Sequence, residues 1–303
     1  MDSQLITSQK KQKSFFKSKV ELLSPAKINL YLNIVGKYSS GYHRLETVVE
    51  RVSLFDKLKI TINPNPAINI SSNNKELETK ENLCYKAAEL IKKEFNLSFG
   101  FNIYLEKNIP IGAGLGGGSS NAASLLLGIK SLADLNCSRE KLYKIGEKLG
   151  SDVNFFLSNS KFAFLTGRGQ KVEPLFSKIK LNHFIVWPKI FVSTKKVYKN
   201  SKRYLPAGRQ ELTRFFSSVN ILKYSLKNAD CSFLKKGVYN CLEKSAFGLY
   251  EKLAEVKAVL NKGNMAALMT GSGGAFYTIG ARSYKEVKSN LPDDWIIYKV
   301  QTF

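Results

Sequence analysis

Five glycines fall within seven residues, Gly112 to Gly118, in the segment Pro110-Ile111-Gly112-Ala113-Gly114-Leu115-Gly116-Gly117-Gly118-Ser119-Ser120-Asn121-Ala122-Ala123. With no side chains to pack, the backbone itself must be the functional surface. Glycine lets it turn tightly and present N–H groups outward. The Ala- and Leu-rich run after it predicts a helix over Ser119 to Leu132, whose positive dipole end is aimed at the same point. A flexible linker seldom runs straight into such a helix, so the pattern favours an anion-binding loop. Ser119 and Ser120 stand where they can cap the helix and offer hydroxyls to a phosphate or its metal. Gly112, Gly114 and Gly117 satisfy the dinucleotide spacing G-x-G-x-x-G, but Lys107, Asn108 and Pro110 separate them from the preceding strand. The acid expected about twenty residues on could only be Asp134, at a helix end. No Lys comes after the glycines, which excludes a Walker loop.

Around this loop the chain reads as globular. Its 303 residues suit one large domain or two ordinary ones. Forty-seven Lys and Arg against 24 Asp and Glu leave a net charge of +23, which favours anionic partners. No apolar run approaches the roughly eighteen residues of a membrane span. Residues 1–19 read as a basic flexible tail without a signal-peptide centre. Cys84, Cys137, Cys231 and Cys241 form no CxxC pair and have no suitably spaced His, so reduced cytoplasmic thiols are expected rather than a metal site or disulfides.

Strict alternation in Ser24-Pro25-Ala26-Lys27-Ile28-Asn29-Leu30-Tyr31-Leu32-Asn33-Ile34 predicts a half-buried strand, with Lys27, Asn29, Tyr31 and Asn33 on its polar face. Further strands are expected near Thr47–Phe55, Leu58–Ile62 and Phe101–Leu105, and helices over Asn82–Phe95 and Ser138–Leu149. The second half reads as a separate α+β unit. Its strands are expected at Phe162–Leu165, Phe184–Trp187, Ala275–Ile279 and Trp295–Val300, with one helix over Cys241–Leu260 and an exposed basic insertion at 200–218.

Three shorter constellations stand out. Gly41-Tyr42-His43 puts an aromatic face beside a ring with two hydrogen-bonding nitrogens, a pairing that suits a planar polar ring. Gly150-Ser151-Asp152 places an acid just after a helix-ending glycine, where most such residues merely cap the next helix. Thr270-Gly271-Ser272-Gly273-Gly274-Ala275 is a glycine turn before a strand, which beside the first loop could close over phosphates.

Taken in order, these segments resemble the GHMP kinases, small-molecule kinases that share three such motifs. The pairing of Pro25-Ala26-Lys27-Ile28-Asn29-Leu30 with Gly41-Tyr42-His43 is similar to one branch, which phosphorylates the 2-hydroxyl of 4-diphosphocytidyl-2-C-methyl-D-erythritol in the non-mevalonate isoprenoid pathway. The resemblance implies an α+β fold in two parts. Residues 20–165 would form an ATP-binding domain similar to ribosomal protein S5 domain 2, and residues 166–303 a ferredoxin-like domain. It implies Asp152 as catalytic base with Lys27 beside it. Pro110 to Ser120, with Asn82, Leu83 and Lys107, would bind ATP with Mg²⁺. Gly271, Ser272 and Gly273 would form the third motif. Asn29, Tyr42, His43, Thr194, Tyr198 and Lys199 would bind a cytidine diphosphate-linked polyol, Tyr42 and Tyr198 sandwiching the cytosine. No carboxylate declares itself as a metal ligand. Asn154 stands where the family commonly has Pro, and Gln170 where it commonly has Glu. Neither nucleic acid nor membrane is expected as a partner, and the chain is expected as a monomer or weak homodimer. Three rival readings are weaker. Gly41-Tyr42-His43 argues against another GHMP kinase and Pro110 against a dinucleotide oxidoreductase, and an RNA-binding module lacks any RNP-, KH- or zinc-like signature.

Overall fold

A computed structural model of the protein describes residues 18–201, 209–230, 233–262, 266–279, 283–289 and 291–303. Residues 1–17 of the basic tail and 202–208 of the insertion lie outside them, while Lys19 already opens a strand and the chain from Arg209 is helical. The strands are β1 (Lys19–Lys37), β2 (His43–Asn63), β3 (Ile68–Ser72), β4 (Gly100–Glu106), β5 (Phe162–Gly167), β6 (Lys171–Leu175), β7 (Asn182–Trp187), β8 (Tyr239–Asn240), β9 (Ala266–Met269), β10 (Phe276–Ile279) and β11 (Ile296–Gln301). The helices are α1 (Leu83–Glu94), α2 (Gly117–Leu132), α3 (Arg139–Leu149), α4 (Val153–Ser158), α5 (Thr194–Asn200), α6 (Arg209–Asn228), α7 (Leu234–Gly237), α8 (Leu242–Phe247), α9 (Glu251–Lys262) and α10 (Tyr284–Lys288). Among the described residues the strands form two sheets. The first runs β3-β4-β2-β1-β8, with β5 and β6 joined to β2, and the second runs β11-β7-β10-β9.

The helices α1 to α4 pack one face of the first sheet, burying Leu58, Ile60, Phe101 and Ile103 against Ala87, Ile91, Leu125 and Ile129. Its other face meets the second sheet through Ile28, Leu30, Val48, Phe162, Ile185 and Tyr277. A third cluster, including Phe184, Met269 and Phe276, lies under α8 and α9. Helix starts obey the sequence: Asn82 Oδ1 accepts from Cys84 N at 2.9 Å, and Ser138 Oγ from Lys141 N at 3.2 Å.

Several expectations are corrected. The strand around Ile28 is buried on both faces, because the second sheet covers one and the two glycine motifs overhang Lys27 and Asn29 on the other. Its alternation breaks at Leu30, where the register with β2 shifts between Asn29 and Tyr31. One extra residue flips the side chains beyond it to the opposite face, until the register shifts again between Ile34 and Gly36. Tyr31 therefore joins Ile28 and Leu30 in the core, and Leu32 turns toward the cleft that the glycine loop overhangs. The two strands expected on either side of Asp56 are one, because buried Asp56 is held there by donors from β4's end and α2. The expected Cys241–Leu260 helix is interrupted between Phe247 and Glu251.

The two sheets are tied by a buried polar cluster. His183 Nε2 on β7 lies 3.0 Å from Glu50 Oε2 on β2, and Thr302 Oγ1 donates to Glu50 Oε1 at 2.6 Å. His183 Nδ1 must donate to the Thr278 carbonyl at 2.9 Å, since that oxygen can only accept.

Candidate active site

A cleft of about 1250 Å³ opens above β1 and β2, walled by the glycine loop, by the start of α5 and by the turn at Gly271 and Ser272. The loop reaches the left-handed region at Gly112 (φ 70°), Gly114 (φ 77°) and Gly116 (φ 70°). A Cβ on Gly114 would stand 2.1 Å from the Thr270 carbonyl oxygen, so the two glycine motifs interlock backbone to backbone. Ala275 N–H donates to the Ala113 carbonyl at 3.1 Å across the same seam. Gly116 is the N-cap of α2 and supplies no side chain, leaving the N–H groups of Gly117, Gly118 and Ser119 open at the cleft. Three such donors at a helix N-terminus, in a cradle that a Cβ would fill, fit the phosphates of a nucleotide.

The helix starts two residues before the predicted position, which changes the serines' roles. Ser119 lines the cleft, but Ser120 falls inside the first turn, fully buried and with its hydroxyl oxygen lacking a hydrogen-bond partner among the described residues. Gly273 also stays outside the cleft, facing Met269 and Val192 in the core. The other site residues expected from the sequence all line the cleft.

On the floor, Lys27 and Asn29 project from β1 side by side. Lys27 Nζ lies 2.5 Å from Asn29 Oδ1 and 3.5 Å from Asp152 Oδ2. Asn29 is fixed in turn, its Nδ2 donating to Thr47 Oγ1 at 2.9 Å and its backbone N–H to Thr270 Oγ1 at 3.2 Å. Asp152 occupies the N-cap position of α4 but makes no capping hydrogen bond, so the capping expectation gives way. Its side chain is 32% exposed and that of Lys27 5%. A half-open carboxylate with a buried ammonium beside it can accept a proton from a bound hydroxyl.

Sequence reasoning missed Asp56. Its Oδ1 accepts from the N–H groups of Asn108 and Ile109 at 2.7 and 2.8 Å, and its Oδ2 from Asn121 Nδ2 at 2.9 Å and from Lys107 Nζ. One buried carboxylate thus fixes both ends of the glycine loop. Burial pulls the Lys107 ammonium below its ordinary pKa, against the opposing charge and hydrogen bond of Asp56. Lys107 thereby reaches the glycine-loop end of the cleft with its charge already engaged.

At the far end, the rings of His43 and Tyr198 are 5.5 Å apart and tilted by 38°. Burial, with Cys241 and Asp152 adding to it, pushes the Tyr198 phenol up, so the ring presents a neutral face. Tyr42 is 58% exposed, and the Arg168 guanidinium lies over its ring at 5.0 Å. Thr194 on α5 bonds Ser272 at 2.7 Å, closing the wall between α5 and the third glycine motif. Among the described residues no group of three or more His, Cys, Asp or Glu could hold a metal ion.

Comparison with known proteins supplies the family. Residues 82–160 match the GHMP kinases N terminal domain. The 4-diphosphocytidyl-2-C-methyl-D-erythritol kinase of Citrifermentans bemidjiense is 36% identical over 290 residues, covering 94% of this chain and 99% of the relative. The chain belongs to the 4-diphosphocytidyl-2-C-methyl-D-erythritol kinase family. The crystal structure of a 4-(cytidine 5'-diphospho)-2C-methyl-D-erythritol kinase superposes with a TM-score of 0.72 at 29% identity, covering 93% of this chain and 99% of that one. Homoserine kinase from Cytophaga hutchinsonii shares the fold alone, with a TM-score of 0.71 at 15% identity over 93% of this chain and 94% of that one. The protein is accordingly a small-molecule kinase with the two-part α+β architecture of GHMP kinases. No helix among the described residues is long and apolar enough to cross a membrane.

Proposed function

We propose that the protein transfers the γ-phosphoryl group of ATP to the 2-hydroxyl of 4-diphosphocytidyl-2-C-methyl-D-erythritol, in the cytoplasm and within the non-mevalonate route to isoprenoid precursors. The observation that carries this reading is the single cleft joining Lys27 and Asp152 to the open N-terminus of α2 at one end and to His43 and Tyr198 at the other. When bound, ATP supplies the phosphoryl group, and Mg²⁺ neutralises its oxygens. The N–H groups of Gly117, Gly118 and Ser119 hold the phosphates, and Asn82 and Leu83 flank the nucleoside. Ser119, which lines the cleft at the start of α2, would offer its hydroxyl to the phosphates or to Mg²⁺. Asp152 orients the attacking hydroxyl and takes its proton, while Lys27 steadies the charge that develops beside it. His43 reads the polar edge of the cytosine, with Tyr42 and Tyr198 against its faces. The Gly271-Ser272 turn closes the floor. The protein works as a monomer or weak homodimer on small molecules, with no nucleic acid among its partners. The test is phosphate transfer from ATP by purified protein, offered the cytidine diphosphate-linked polyol, homoserine and mevalonate in parallel. Turnover of the first alone is expected, and equal use of mevalonate would overturn the assignment.

A further inference from the structure

The turn between β5 and β6, Gly167-Arg168-Gly169, touches both working ends of the cleft. Its β5 side is registered on β2, with Gly167 opposite Leu45, two residues beyond His43. Its β6 side abuts the acid: a Cβ on Gly169 would lie 3.3 Å from Ser151 Cβ and 3.9 Å from Asp152 Oδ1. Arg168 sits between, in a turn that is held tightly. Gly167 and Gly169 take φ of 75° and 107°, Gly169 N–H donates to the Thr166 carbonyl at 3.1 Å, and Arg168 N–H donates to Gln170 Oε1 at 2.7 Å. The guanidinium lines the cleft and stacks on Tyr42, and it makes no ion pair among the described residues. A cation–π contact leaves its N–H donors free of protein acceptors, and those donors match phosphate oxygens in pairs.

A substrate whose base lies at His43 and whose reacting hydroxyl lies at Asp152 must carry whatever joins them past this turn. From this juxtaposition we propose that Arg168 is the specificity residue for the substrate's diphosphate, gripping it between the nucleobase pocket and the site of phosphoryl transfer. The inference rests on the cytidine substrate proposed for this cleft. Of the other cations that line the cleft, Lys27 is engaged with Asn29 and Asp152 and Lys107 with Asp56, while Lys195 and Lys199 stand on α5 and Lys37 at the end of β1, away from the turn beside Asp152. Arg168 therefore makes the cleft select a base joined to a pyrophosphate, and not merely a base.

The test is equilibrium binding of CDP and of cytidine to the full-length protein and to its Arg168→Met and Arg168→Lys variants, with ATP affinity as the folding control. Charge-assisted bonds to phosphate predict that wild type prefers CDP to cytidine by roughly ten- to a hundredfold. Arg168→Met should lose most of that preference while its cytidine and ATP affinities hold, and Arg168→Lys should recover part of it. An undiminished preference in Arg168→Met would overturn the proposal, as would equal losses for both ligands, which would mean that Arg168 serves only to steady Tyr42. No recovery in Arg168→Lys would also overturn it, because the charge would not be what is read. Failure of wild type to bind either ligand would instead sink the underlying substrate assignment, and this inference with it.

Discussion

Lys27 Nζ lies closer to the neutral amide oxygen of Asn29, at 2.5 Å, than to the carboxylate of Asp152, at 3.5 Å. The ammonium is anchored by a residue that cannot titrate and only flanks the acid, whose oxygens stay available to a substrate hydroxyl. Asp152→Asn keeps the shape and removes the proton acceptor. Turnover should fall roughly 10²–10⁴-fold, with ATP affinity within a factor of about two, which is within ordinary mutational scatter for a surface-neutral change. Rapid-quench kinetics beside equilibrium ATP binding measures both, and near wild-type turnover would place the base elsewhere.

Gly114→Ala should cost ATP binding. The position has φ 77°, and the new Cβ would meet the Thr270 carbonyl at 2.1 Å, backbone that cannot swing aside. Strain of about 1–3 kcal/mol should appear as a lower midpoint in chemical denaturation, with ATP affinity reduced at least tenfold as the cradle opens. An unchanged nucleotide affinity would show that the loop does not hold phosphate.

Tyr198→Phe keeps the ring that faces His43 and should leave the KM for the cytidine substrate nearly unchanged, whereas Tyr198→Ala removes about 1 kcal/mol or more of aromatic contact and should raise it several-fold. His43→Ala should raise the same KM because a polar edge of the base goes unpaired. The KM for ATP should not move in any of the three. A selective loss of ATP affinity in His43→Ala would reverse the assignment of the two ends of the cleft.

How far the sequence exposes all this depends on the range of the interactions. Caps at Asn82 and Ser138 work over two or three residues, so α1 and α3 were legible. The glycine loop was legible because its composition has no other use, and Lys27 and Asn29 because they share a strand face. Asp56 was not, since its donors lie 51 to 65 residues away and nothing local distinguishes it from a turn aspartate. The bulge at Leu30 was invisible because the letters alternate perfectly, and only pairing with β2 shifts the register. Asn154 and Gln170 looked like unrelated departures from the family. In the fold they meet: Asn154 Nδ2 donates to the Gln170 carbonyl at 3.2 Å, while the Gln170 side chain caps the turn that carries Arg168.

The Glu50–His183 pair should make stability depend on pH. Burial opposes the imidazolium, but the Glu50 charge, its hydrogen bond and the Thr278 carbonyl outweigh it and hold the His183 pKa above the ordinary 6.5. A raised folded value means the contribution is complete below pH 6.5 and is lost as pH rises through that folded value. Urea denaturation between pH 6 and 9 should show a declining midpoint for the wild type. In Glu50→Gln the decline should flatten, with a loss of about 3–5 kcal/mol at the low-pH end. A decline equally steep in the variant would assign it to other groups.

The phosphate cradle is shared between distant parts of the chain, Gly112 to Gly116 on one side and Thr270 to Ala275 on the other. A nascent chain therefore cannot complete it until Thr270 to Ala275 have been made, however early the first sheet forms. If the loop holds nucleotide as proposed, nucleotide cannot serve as a scaffold for a chain that stops short of Thr270. An amino-terminal fragment ending at Leu175 would carry the first glycine motif and the Lys27–Asp152 pair, yet lack the surface against which the loop acquires its shape.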